Sequence, residues 1–144
     1  MQTFRFRLEK VLEWYTRQYE EEERRLTVCL AALAEAKVAI AALLAERVTI
    51  ERDMLSLTSI PAAEFVALSL YRLGAKKREL ELNAVRDRCQ AEVEAQRVRL
   101  RAVERKVRMI EKLRERRVTE YTYAETRELE ELASDAYFSK WAAR

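Results

Sequence analysis

Acidic and basic side chains are the only groups this sequence supplies in quantity. Its 144 residues hold 25 Asp and Glu, 28 Lys and Arg, two Cys, one Gly and no His. Two carboxylates can share general acid and base work only where burial or a like-charge neighbour drives their ionisation apart. Here the acids are flanked by Arg and Lys at i,i+3 and i,i+4, which keeps them ionised and makes them salt-bridge partners on helix surfaces. Imidazole chemistry is absent, and no Gly-rich loop exists to cradle a phosphate. Cys29 and Cys89 are too far apart in sequence for a zinc site, and nothing suggests a secreted disulfide framework, so both are expected reduced and packed. No catalytic set, metal or cofactor is expected. The chemistry on offer is recognition of other proteins.

The elements that would carry such surfaces are helices. Charged residues make up 37% of the chain, with a single Pro and a single Gly, the usage of long helices and not of a compact mixed fold. From Leu12 a seven-residue pattern runs through Leu12, Tyr19, Leu26, Leu33, Ile40, Arg47 and Met54. A second seam runs through Tyr15, Glu22, Cys29, Ala36, Leu43, Ile50 and Leu57. Twelve of these 14 positions are apolar, against 14 of the other 32 between residues 12 and 57. The enrichment therefore follows the period and not the composition, and it predicts a left-handed coiled coil.

The pattern stops at Leu55-Ser56-Leu57-Thr58-Ser59-Ile60-Pro61, where Ser or Thr can cap a new helix and Pro suits its first turn. Downstream, Leu82, Cys89, Val93, Leu100, Val103, Val107 and Ile110 form another seam, interrupted by Arg86 and Gln96. Neither stripe can be buried alone, so folding back through a short connection is the simplest solution. The expectation is an all-α fold, a long antiparallel two-helix coiled-coil hairpin forming one domain over residues 1–144. Helix one covers about residues 3–57, the turn 58–61, and helix two about 62–141. Residue i then lies opposite roughly residue 121 minus i, which sets Leu12 near Met109 and leaves helix two unpartnered beyond about residue 118. A bend at Gly74 is the alternative, since Gly inside a helix costs roughly 1 kcal/mol relative to Ala.

Charge and aromatic content distinguish the two ends. From Arg97 to Arg117 ten basic residues face three acidic ones, and from Val118 to Ala136 six acidic residues face Arg127 alone. Such blocks steer partners of opposite charge. Phe4, Phe6, Phe138 and Trp141 have no evident internal partner, and Leu30, Val38, Leu44, Val48, Phe65, Leu68, Leu70, Tyr71 and Leu73 crowd the turn end. Both are candidate docking surfaces. Nucleic acid is not expected as a partner, because the net charge is only +3 and the basic stretch is itself part of the seam. The apolar stretch from Val28 to Ala45 contains Glu35 and Lys37, each costing roughly 2.5–3.5 kcal/mol at a bilayer centre, which argues against a membrane span. The N-terminus lacks signal-peptide features, so a cytoplasmic location is the default expectation.

The opening Phe4-Arg5-Phe6-Arg7-Leu8-Glu9-Lys10-Val11-Leu12, the run Glu20 to Leu26 and the mid-chain break resemble the FliJ family of flagellar type III protein export. So does the close, from Leu113-Arg114-Glu115-Arg116-Arg117 through Arg127-Glu128-Leu129-Glu130-Glu131-Leu132-Ala133. The resemblance implies a non-catalytic stalk seated in the hexameric FliI-type export ATPase and coupling it to the FlhA-type export gate. A FliH-type regulator and export chaperones would be further partners. The location implied is the cytoplasmic face of the inner membrane, with membrane association only through the export apparatus. Carried onto this sequence, the ATPase-facing residues are Arg114, Arg116, Arg117, Arg127, Glu130, Glu131 and Leu132. The gate-facing residues are Leu43, Leu44, Arg47, Phe65, Leu68 and Tyr71. A YscO-type injectisome stalk or a self-associating structural coiled coil would fit the same pattern.

Overall fold

The computed structural model describes residues 3–143. Two helices pack against each other, α1 (Glu9–Leu55, 47 residues) and α2 (Ala62–Ala142, 81 residues), with no strand among the described residues. The chain divides into two compact units, residues 21–100 and the two terminal stretches outside them.

In the 21–100 unit the buried side chains are those at the seam positions: Leu33, Ala36 and Leu43 on α1, Val93 and Gln96 on α2. Leu68 and Ala75 extend that buried row toward the turn. Long-range contacts join Glu22 to Gln96, Arg47 to Glu79 and Glu51 to Arg72, so numbers rise on α1 as they fall on α2. Each pair lies within five residues of the spacing expected from the turn. α1 contains a stretch long and apolar enough to cross a membrane by length and composition alone; here it supplies Leu33, Ala36 and Leu43 to the packing.

The connection closes as Ile60-Pro61 requires. Pro disfavours helix at the residue before it, and with no N–H of its own it suits a helix start. The Pro61 carbonyl accepts from the Glu64 and Phe65 amides, both at 3.1 Å, which opens α2. At the other side the Ser56 hydroxyl donates to the Asp53 carbonyl at 2.7 Å, tying off the end of α1. Gly74 does not interrupt the helix: α2 runs unbroken through it, and a Cβ there would meet no atom within 4 Å.

In the terminal unit α1 starts at Glu9, six residues later than expected. Its first backbone bonds run from Glu9 to the Phe6 carbonyl at 3.2 Å and from Leu12 to Leu8 at 2.9 Å. Phe4 is instead drawn onto Tyr121, ring centroids 5.5 Å apart. Burying an aromatic ring outweighs the small gain from lengthening a helix end that frays in any case. Leu12 and Ile110 are both half-buried, and Met109 faces outward.

Candidate partner-binding surfaces

Among the described residues no group of three His, Cys, Asp or Glu could hold a metal ion. What the fold displays instead is surface, of different kinds in the two units.

In the 21–100 unit two polar interruptions of the seams, Glu22 and Gln96, meet one another, and a third, Arg47, meets Glu79. Gln96, only 4% exposed, donates its side-chain amide to the Glu22 backbone carbonyl at 3.2 Å and to the Glu22 carboxylate. Arg47 Nη1 lies 2.8 Å from Glu79 Oε2, both half-buried. A polar group left alone in such a seam would lose its hydration with no return, whereas paired groups fix the alignment of the two helices. Neither pairing is evident from one helix at a time.

These placements bear on the residues expected to face an export gate. Leu43, at 6% exposed, and Leu68, at 8%, are packed between the helices and unavailable to a partner. Arg47 is engaged with Glu79. The Tyr71 hydroxyl is shielded from solvent without a hydrogen-bond partner, and its ionisation is pushed up by lost hydration and by Glu46, with Arg47 and Arg78 opposing. Leu44 and Phe65 remain exposed. They are joined by Val48, Val66, Leu70 and Leu73, of which Val66, Leu70 and Leu73 share one helix face by their 4,3 spacing. Val66 lies off the seam, the property that leaves it outside.

In the terminal unit Arg114 Nε reaches Glu9 Oε2 at 3.1 Å, and Lys106 sits over the Tyr15 ring, 5.6 Å from its centroid. Arg117 pairs with Glu120 at 2.9 Å, beside a hollow lined by Phe4, Phe6, Leu113 and Tyr121. The two N-terminal phenylalanines thus do find company within the chain. Arg116 is exposed. Further along, Arg127 pairs with Glu131 at 3.1 Å on its own helix, and Glu130, Ser134 and Asp135 share a shallow hollow with both.

From residue 126 to 143 every described side chain is exposed, including Leu129, Leu132, Tyr137, Phe138 and Trp141. Leu129, Leu132, Ala133, Ala136 and Tyr137 recur at the 3,4 spacing of one helix face. Glu128, Glu130 and Asp135 lie along its borders by the same count. An uncovered apolar stripe edged with acids is the arrangement of a protein-docking helix. Comparison with protein-family models, with characterised proteins and with solved structures finds no match.

Proposed function

We propose that the chain is an antiparallel coiled-coil hairpin of the FliJ type, a non-catalytic stalk that binds a hexameric FliI-type export ATPase and couples it to a FlhA-type export gate in the cytoplasm. The observation that carries this reading is the end of α2. After a basic stretch held to the N-terminal segment by Arg114–Glu9 and Phe4–Tyr121, the helix continues bare, with reversed charge and an apolar stripe. The ATPase-facing surface is Arg116, Arg117, Arg127, Glu130, Glu131 and Leu132, with Arg114 bracing the N-terminal segment through Glu9. The gate-facing surface is Leu44 and Phe65 with their exposed neighbours. A FliH-type regulator and export chaperones are secondary partners.

Titrating the purified chain against a FliI-type ATPase from the same organism tests this, with binding and turnover both measured. Complex formation and altered turnover are expected, and absence of both removes the proposal. Arg116→Glu with Arg117→Glu weakens that association while circular dichroism stays nearly unchanged, because exposed ion pairs contribute only about 0.2–1 kcal/mol to folding.

A further inference from the structure

The two cysteines occupy matched places in the packed seams. Gln96 reaches the backbone of Glu22, which ties those two levels of α1 and α2 together. One heptad further up α1 is Cys29, and one heptad back along α2 is Cys89. The same step taken again pairs Ala36 with Leu82, and then Leu43 with Ala75. Every one of these residues is buried or half-buried. The two layers beyond the cysteines each match one alanine with one leucine, the volume complementarity that a close-packed layer needs. Ion pairs such as Arg47–Glu79 join residues somewhat out of this alignment because long side chains lean toward the N-terminus of their own helix.

We infer that Cys29 and Cys89 form a reversible disulfide across the two helices, a redox staple that locks the 21–100 unit. Packed helices with axes about 8–10 Å apart bring the Cα atoms of facing residues to roughly 6 Å, the separation a disulfide spans. Both thiols are free and half-exposed, so a small oxidant can reach them. Cys29 opens onto a hollow lined by Arg24, Arg25, Val28 and Gln96. The oxidant is a small-molecule disulfide such as oxidised glutathione. One cysteine, as thiolate, attacks it, forming a mixed disulfide and releasing one glutathione thiolate. The second cysteine attacks the protein sulfur of that mixed disulfide and displaces the other. Two thiol protons and two electrons leave the protein, two molecules of glutathione form, and one S–S bond closes.

This inference rests on the antiparallel hairpin reading, so its test carries a control for that reading. The full chain is incubated with oxidised glutathione and read by intact mass, thiol alkylation and non-reducing electrophoresis. The expected product is a monomer lighter by two hydrogens, resistant to alkylation, faster-migrating, restored by dithiothreitol and melting higher than the reduced chain. Cys29→Ser abolishes all of these changes. Persistent mixed disulfides, intermolecular dimers or two alkylatable thiols overturn the inference. The control is Ala36→Cys with Leu82→Cys in a chain carrying Cys29→Ser and Cys89→Ser. If the control closes and the native pair does not, the staple is wrong and the alignment stands; if neither closes, the hairpin reading fails with it.

Discussion

Val93 and Trp141 lie on the same unbroken helix and live in opposite surroundings, 0% exposed against 74%. Around Val93, α2 is held by packing against α1, with Gln96 and Glu22 completing the polar side of the contact. From residue 126 on, what holds the helix is local: Ala-, Glu- and Leu-rich sequence, the Arg127–Glu131 pair, and Lys140 in the last turn where the helix dipole favours a cation. Local terms leave an isolated helix marginal in water, so most helical stability in proteins comes from a covered face. From residue 126 to 143 the apolar side chains are left uncovered, while the 21–100 unit buries Leu33, Ala36, Leu43 and Val93 between its helices and leaves residues such as Phe65 and Leu70 outside.

The largest test of that contrast is a matched pair of truncations. Leu43→Ala is expected to lower stability by about 2–5 kcal/mol in urea unfolding, the usual loss for a buried leucine. Leu132→Ala is expected to change it by less than about 0.5 kcal/mol, as an exposed site does, while weakening ATPase binding. Similar losses at both positions would break the comparison. A gain is expected from Gly74→Ala, about 0.5–1 kcal/mol, because the helix there is regular and an added methyl meets open space. A loss would reveal a bend or a close neighbour at that point.

The smallest effect concerns Tyr71, whose shielded hydroxyl ionises above the ordinary value of 10.0. A raised value in the folded state means that its contribution is whole below pH 10 and disappears as pH rises through the raised value. Tyr71→Phe should therefore flatten the alkaline loss of stability in thermal melts above pH 10. At neutral pH it should leave the melting temperature unchanged or slightly higher, since an unpartnered hydroxyl is removed. An unaltered alkaline limb would place the hydroxyl in water.

Much of the packing was legible because a seven-residue period sustained over six heptads marks one face of a helix whatever it packs against. Leu33, Ala36 and Leu43 were identifiable in this way, as were Val93 and the turn before Pro61. The candidate surfaces were less legible. Leu68 belongs to a surplus of apolar residues near the turn that outnumbers what a seam needs, and Leu43, a seam position, was expected to face a partner only through the family resemblance. Which of them face inward depends on rotation about each axis, and Leu44, Val66 and Leu70 took the outer places. Phe4 was read as unpartnered because Tyr121 is 117 residues away in sequence, and the late start of α1 follows from that contact.

By itself the sequence determined two long helices, the residues of each seam and the break between the helices before Pro61. These follow from periodicity and from Pro61, which act within one segment. Only the tertiary structure decided that Glu22 meets Gln96 and that Arg47 meets Glu79. Those facts depend on the axial alignment of two helices. That alignment comes from the length of the connection and the sum of many contacts along both, a quantity no single segment contains.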